Sequence, residues 1–292
     1  MVDFLKYSKL YFIFSGILIL CSIIFLITWG LKAGIDFTGG SVIEVEFKNQ
    51  RPSIEELEDA LLKEIGNDFT LQEVGENGII LKSKEIPEET HQKIIEILGV
   101  KGELEEKRFE TLGPAIGSEL QKSTIIAIVL SSISIIIYIA FAFRRVSRPV
   151  SSWQYSIAAI IALLHDILIT CGVFAFLGKF FNIEIDIPFV AALLTILGYS
   201  INDTIVVFDR CRENLFKTNG EFKEILNNSL NETLARSFFA SFTTLFPLFA
   251  MLFFGGESLF SFVLALIIGI SFGAYSSIFI ATPLILKFAK QS

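Results

Sequence analysis

Six long apolar runs leave this chain few ways to fold. They lie near Leu10–Trp29, Ile125–Phe143, Tyr155–Leu177, Ile187–Phe208, Ser237–Phe254 and Leu259–Leu286. Each is close to or above the roughly 20 residues a helix needs to cross a hydrocarbon core. Lipid offers the backbone no hydrogen bonds, so these runs are expected to be helices; none shows the alternation of a barrel strand. The chain is 52% hydrophobic, more than a soluble fold usually carries. The expected fold class is a polytopic α-helical membrane protein. It combines a six-helix transmembrane bundle with a small α+β domain between the first and second helices.

Charge divides the chain in the same way. Residues 31–122 hold 20 of the 31 acidic groups and 11 of the 24 basic ones, whereas the remainder holds 11 acidic and 13 basic. An acidic water-exposed domain excludes nucleic acid as an expected partner. Orientation follows from Lys and Arg at the span ends. Lys6 and Lys9 precede the first span, Arg144, Arg145 and Arg148 sit between the second and third, and Arg210, Arg212 and Lys217 follow the fourth. Lys287 and Lys290 close the chain, while Gly178–Asp186 holds only Lys179 and Gly255–Ser258 holds no base. Both termini are therefore expected in the cytoplasm and domain 31–122 outside it, periplasmic or extracellular. Residues 1–30 form the N-terminus and an uncleaved anchor, the apolar stretch being longer than a signal core. Residues 123–292 hold five further spans and an amphipathic segment near 218–234. There Phe222, Ile225, Leu226 and Leu230 make an apolar stripe, expected to lie at the cytoplasmic interface. Cys21 and Cys171 fall within spans and Cys211 in a cytoplasmic loop; the external domain has no cysteine and must rely on its own core.

Within that domain Ser41–Lys48 alternates, with Ile43, Val45 and Phe47 on one face and Glu44 and Glu46 on the other. Ser53-Ile-Glu-Glu56 forms a capping box before a helix carrying Leu57, Leu61 and Ile65. Phe69–Val74 and Ile79–Lys82 flank Gly75-Glu-Asn-Gly78, a hairpin signal. Pro87 opens a second helix with Ile94, Ile97 and Leu98, and Glu103–Phe109 is a final strand. The order strand-helix-strand-strand-helix-strand predicts a ferredoxin-like arrangement. His91 reads as a solvated surface residue. No triad, metal ligand set or phosphate loop is present in the pattern, so no enzyme chemistry and no cofactor are expected.

Ionisable groups inside spans cost about 2.5–3.5 kcal/mol each on insertion scales, so each needs a reason. His165 and Asp166 share the middle of the third span, Asp203 lies in the fourth beside Asn202 and Thr204, and Arg236 stands at the entrance of the fifth. At 1.5 Å per residue Asp203 lies roughly 8 Å and Asp166 roughly 20 Å inside the cytoplasmic edge. Arg236 is long enough to reach Asp203; Asp166 needs another partner, such as a water-filled crevice or another subunit. A buried carboxylate beside a movable arginine can act as a switchable proton carrier. Equally, Arg236 could snorkel to headgroups and the Asp166–His165 pair could be a static clasp. Ala265, Gly269, Gly273 and Ser277 recur every four residues, a seam for close packing within the bundle.

Several segments resemble the SecF family, the smaller membrane subunits of the SecD–SecF protein-export complex. Gly34-Ile-Asp36-Phe37-Thr-Gly39-Gly40 matches the motif after the first span, and Gly198-Tyr-Ser-Ile-Asn202-Asp203-Thr-Ile-Val-Val-Phe-Asp209-Arg210 matches the fourth-span motif over its whole length. His165-Asp166, and Gly113-Pro114 with Gly117, are also similar. The glycine-rich motif is shared with SecD, whose external region is much larger. The resemblance covers the chain from end to end and places it in the wider resistance-nodulation-division superfamily, which uses proton flow. It implies that Asp203 carries the proton, that Arg236 is its partner, and that Asp166 is a further polar group on the path. The chain departs from the family in the fifth span, where Phe238, Phe239 and Ala240 stand at positions often more polar.

The function these readings imply is an accessory subunit of the Sec preprotein translocase that couples the proton-motive force to late steps of protein export across the bacterial cytoplasmic (inner) membrane. The implied partners are SecD, the SecYEG channel (SecA indirectly), the translocating unfolded preprotein and membrane lipid. A small-molecule or lipid exporter of the same superfamily is the alternative, and a non-transporting assembly factor a third reading. The sequence leaves open whether the coupling ion is a proton or sodium.

Overall fold

The computed structural model describes residues 2–66, 69–142, 149–218, 220–255 and 259–289, apart from the side chain of Glu64. Arg144, Arg145, Arg148 and Lys290, counted above for orientation, lie outside the described residues. In chain order a 3-10 turn Phe4–Tyr7 leads into α1 (Ser8–Thr28), then α2 (Ile35–Thr38), β1 (Gly40–Phe47), α3 (Ile54–Ile65), β2 (Phe69–Val74), β3 (Gly78–Ser83), α4 (Glu88–Lys101) and β4 (Leu104–Leu112). α5 (Pro114–Ala142), α6 (Ser152–Phe181), α7 (Ile187–Lys217), α8 (Phe222–Phe254) and α9 (Phe260–Ser276) follow. A π-helical segment Ser277–Ala281 continues α9 into α10 (Thr282–Ala289). Two compact units result, Ala33–Ile125 on one hand and Met1–Lys32 with Ile126–Ser292 on the other.

The smaller unit is a four-stranded antiparallel sheet of order β2-β3-β1-β4 with two helices between its strands, the expected ferredoxin-like connection. Ile43, Val45 and Phe47 of β1 meet Ile79 and Leu81 of β3, and Leu57, Leu61, Ile94 and Leu98 close the core from α3 and α4. Ser53 caps α3 by accepting from the Glu56 N–H at 3.3 Å. Pro87 is the cap of α4 rather than its first residue, in extended backbone. β4 runs three residues beyond the expected Phe109, because its far end pairs with Gly40–Val42 of β1. A bulge between Glu44 and Val45 leaves Lys107 outside the register. Its ammonium lies 3.1 Å from Glu105 and 3.2 Å from Glu46, which hold it above the usual lysine range.

His91 corrects an expectation. It is buried rather than solvated, stacked on Phe109 with ring centroids 3.8 Å apart. Its two ring nitrogens meet Glu88 at 3.3 Å and Glu106 at 3.1 Å. One turn before Ile94 and two before Leu98, it shares their apolar face and closes the gap between α4 and β4.

The glycine-rich motif is architectural. α2 is one turn on Gly34, whose carbonyl receives the Phe37 and Thr38 N–H groups, both at 3.1 Å. Gly39 and Gly40 have φ of +74° and +140°, and a Cβ on Gly40 would lie 2.6 Å from the Ser83 carbonyl oxygen. Only glycine fits such a backbone. The turn then docks on the start of α5: Gln121 Nε2 donates to the Phe37 carbonyl at 2.9 Å, and a Cβ on Gly117 would meet that carbonyl at 2.8 Å. Asp36 lies in this turn, half-buried.

In the larger unit, six described helical stretches are long and apolar enough to cross a membrane. α6, α7 and α9 form the interior, while α1, α5 and α8 leave most of their apolar faces uncovered. That distribution suits a solvent of lipid, in which packing rather than hydrophobic burial joins helices. Small residues set the closest approaches. A Cβ on Gly172 of α6 would strike Ser22 of α1, one on Gly269 would strike Ile196, and one on Gly273 would lie 3.0 Å from the Ser200 Cβ. The Ala265-Gly269-Gly273-Ser277 seam is thus internal, packed on α7.

Two boundaries differ from the sequence expectation. The stripe Ile225, Leu226 and Leu230 does not belong to a separate interfacial helix. It is the first third of α8, and it packs with Leu5, Val207, Cys211 and Ile278 in a cluster to which Phe222 adds its side chain. Cys211 lies not in a loop but inside α7, which continues to Lys217. The N-terminal segment is strapped to the same place: the Asn231 and Asn227 side chains accept from the Val2 and Phe4 N–H groups at 3.0 Å each.

Candidate functional site

Among the described residues two carboxylates are buried inside the helical unit, and the fold treats them differently. Asp166 on α6 is 0% exposed. Its Oδ1 lies 2.8 Å from His165 Nδ1. Its Oδ2 accepts from the Ser200 hydroxyl at 2.6 Å and the Ser276 hydroxyl at 2.8 Å. Those partners come from α7 and the last residue of α9, so three interior helices converge on one group. The sequence offered a crevice or another subunit as partner; the structure supplies hydroxyls of the same chain. They carried no sequence signal, because serine is common in membrane helices and costs little there.

His165 is 2% exposed, and its imidazole lies nearly parallel to the Tyr275 ring at 6.0 Å. The Tyr275 hydroxyl in turn lies 3.2 Å from the Ser15 hydroxyl of α1. His165 Nε2 is buried and makes no hydrogen bond among the described residues.

Asp203 on α7 is 3% exposed and faces α8. Its one described hydrogen bond is long, from the Ser241 hydroxyl to Oδ2 at 3.4 Å. The Ser237 hydroxyl is buried beside the same carboxylate without completing a hydrogen bond. Thr204, the next residue, turns instead to α9, its Oγ1 being 2.8 Å from Ser277 Oγ. Arg236 precedes Ser237 on α8 but its side chain is exposed. Among the described residues the expected Asp203–Arg236 ion pair is not formed; the guanidinium acts on Asp203 only as a nearby charge. The departure in the fifth span proves remote from the site. Phe238 and Phe239 point outward, whereas Ser237 and Ser241 supply polar groups on the inner face.

The other fourth-span motif residues stand elsewhere. Asp209 pairs with Arg212, and Arg210 with Glu213 at 2.6 Å and Glu232 at 2.5 Å, tying the end of α7 to α8. Gly198 and Asn202 are exposed on α7, in line with Ala191 and Thr195.

A six-helix apolar bundle enclosing two carboxylates, with a small ferredoxin-like domain inserted after its first helix, defines a polytopic membrane protein with titratable groups in its interior. Comparison with known proteins gives the family. Residues 93–291 match the C-terminal family model of the SecD/SecF protein export membrane proteins, and residues 24–50 match the SecD/SecF GG motif. The chain is 43% identical to the protein translocase subunit SecF of Thermobaculum terrenum, covering 100% of this chain and 95% of that one. It is 41% identical to the SecF subunit of Vibrio alginolyticus, covering 99% and 90%. The crystal structure of SecDF, a translocon-associated membrane protein from Thermus thermophilus, superposes with a TM-score of 0.86 at 32% identity. A SecDF structure in a super-membrane-facing form gives 0.71 at 31%. This chain spans 39% of the length of each solved SecDF chain. The chain belongs to the SecD/SecF family of protein export membrane proteins. Its role is an accessory one in protein export, and the small-molecule exporter alternative is not favoured.

Proposed function

We propose that this chain couples an ion gradient across the bacterial cytoplasmic membrane to a late step of protein export, with Asp203 as the ion-carrying group and Arg236 as its movable partner. The observation that carries the reading is the state of Asp203. It is withdrawn from water, holds one long hydrogen bond, and has a guanidinium on the next helix that is near but unpaired. A buried charge so thinly compensated is costly, and gaining a proton or cation, or drawing in Arg236, relieves the cost. The change between those conditions is a bias that can move α8 against α7. The coupling is transport rather than catalysis of a covalent step.

The partners follow from the family and from one exposed face. Ala191, Thr195, Gly198 and Asn202 line the outside of α7, where an asparagine facing hydrocarbon is expensive and small residues favour a close helix neighbour. A SecD-like bundle seated there would cover them and complete a pseudo-symmetric pair. The SecYEG channel, SecA indirectly, and the emerging unfolded chain complete the assembly, with domain 31–122 meeting the client outside the cytoplasm. Packing of Leu5 with the ends of α7 and α8 sets the N-terminus at the Lys- and Arg-rich end of the bundle, which supports cytoplasmic termini.

The test is export into vesicles carrying the assembled complex, with and without an imposed gradient. Asp203→Asn is expected to assemble normally and to lose the gradient-dependent increment. An undiminished increment overturns the assignment.

A further inference from the structure

The Asp203 site does not use the group that binds α6, α7 and α9 together. We propose that the Asp166–His165 pair is a second, separate protonation site, and that its charge state is transmitted through Ser276 to the π-helical segment Ser277–Ala281. The proposal extends the gradient-coupling reading above.

The geometry around Asp166 can hold an ionised carboxylate. Both Ser200 and Ser276 hydroxyls donate to one oxygen, and His165 Nδ1 lies at the other. A proton taken up at His165 Nε2 passes the Nδ1 hydrogen to Oδ1, and the neutral carboxyl then holds the two hydroxyls at Oδ2 less strongly than a carboxylate does. The structure shows which hydroxyl then has somewhere to go. Ser276 Oγ lies 3.2 Å from the Gly273 carbonyl of its own helix, so its hydrogen can swing back without being left unpaired. The Ser200 hydroxyl has no second hydrogen-bond acceptor among the described residues, and its bond to Asp166 is the shorter of the two. Neutralisation of Asp166 therefore releases the α6–α9 link and spares the α6–α7 one. The entering proton forms the N–H bond at Nε2, the hydrogen leaving Nδ1 forms the O–H bond at Oδ1, and Ser276 keeps its own hydrogen on a new acceptor.

Ser276 is the residue from which the π segment springs. That segment carries one residue more than an α-helical turn, a geometry common at functional sites. It is pinned by the Thr282 hydroxyl on the Ser277 carbonyl at 2.8 Å and by Ser277 Oγ on Thr204 at 2.8 Å. Loss of the Ser276 anchor removes its tie to Asp166 and leaves those contacts with the packing of Ile278 and Ala281. His165 Nε2, buried and without a partner, is the atom through which a proton can reach the pair. The titratable groups facing this site are Tyr275 of α9, against the imidazole, Tyr11 of α1, whose carbonyl accepts from the Tyr275 hydroxyl, and Asp203 of α7, turned toward α8. Among the described residues no lysine or arginine pairs with Asp166.

Amide hydrogen exchange of the full chain in phospholipid nanodiscs, corrected for intrinsic pH dependence, tests the proposal without reference to export. From mildly alkaline to mildly acidic pH, peptides covering 273–282 should lose protection by up to about tenfold, the worth of one hydrogen bond. Asp166→Asn should fix the low protection at every pH. Ser276→Ala, which keeps the carboxylate and threatens the fold less, should also abolish the pH response. Asp203→Asn should leave it intact, so failure here and failure of the export reading are told apart. A wild-type segment equally protected at all pH values overturns the proposal. So does a response that survives both Asp166→Asn and Ser276→Ala, or one that disappears in Asp203→Asn.

Discussion

Single residues divide here by how much of their role the hydropathy pattern carries. Asp166, His165 and Asp203 stand out because charge inside an apolar run is expensive, and all three are buried. Their hydroxyl partners Ser200, Ser276 and Ser241, and Ser237 beside Asp203, carry no such signal, since nothing in a single helix says which neighbour a serine will face. His91 is polar but keeps the spacing of Ile94 and Leu98, and it is that periodicity which its burial follows. Arg236 was legible as a long cation near Asp203, but its exposed position depends on the packing of α8. The motif glycines carry a sharper prediction. Gly40→Ala places a Cβ against the Ser83 carbonyl at a φ of +140°. It should destabilise the smaller unit by roughly 2–3 kcal/mol, through backbone strain together with the clash. Thermal unfolding of the full chain in detergent, read as loss of protection in the β1–β3 peptides, checks this.

At the scale of elements, the six spans and the four strands were readable, because a run of apolar residues and a period of two are both local properties. The ends were less so. α5 starts at Pro114 and α8 at Phe222, about three and about four turns before their apolar runs. Backbone hydrogen bonds continue through polar residues as long as one face finds a neighbour, and for α8 that neighbour is the N-terminal segment. Replacing Asn227 and Asn231 together by leucine should release Val2–Phe4 and raise amide exchange in residues 2–7 at least several-fold, with α6 and α9 unaffected. Unchanged protection would mean that Leu5 alone holds the strap. The exposed stripe of α7 makes a second prediction. Gly198→Leu fills open space within this chain, where a Cβ meets nothing within 4 Å. It should therefore leave the isolated chain stable while reducing co-purification of the SecD-like partner. Full recovery of the partner would place that interface elsewhere.

For the molecule as a whole, the sequence separated an acidic inserted domain from an apolar bundle, and the two compact units follow that division. The bundle holds the buried titratable groups Asp166, His165 and Asp203, and the inserted domain is a closed hydrophobic core with charged residues on its sheet. What the sequence could not convey is the contrast between a carboxylate with three partners and one with a single long hydrogen bond among the described residues, which is a property of four packed helices rather than of any run. On that contrast rests the proposal that Asp203 is the coupling group. The most direct test is the transient current recorded when a gradient is imposed on liposomes holding this chain with its SecD-like partner. The account predicts a current in the wild type that Asp203→Asn abolishes while the complex stays assembled. A current of undiminished size in Asp203→Asn would contradict it.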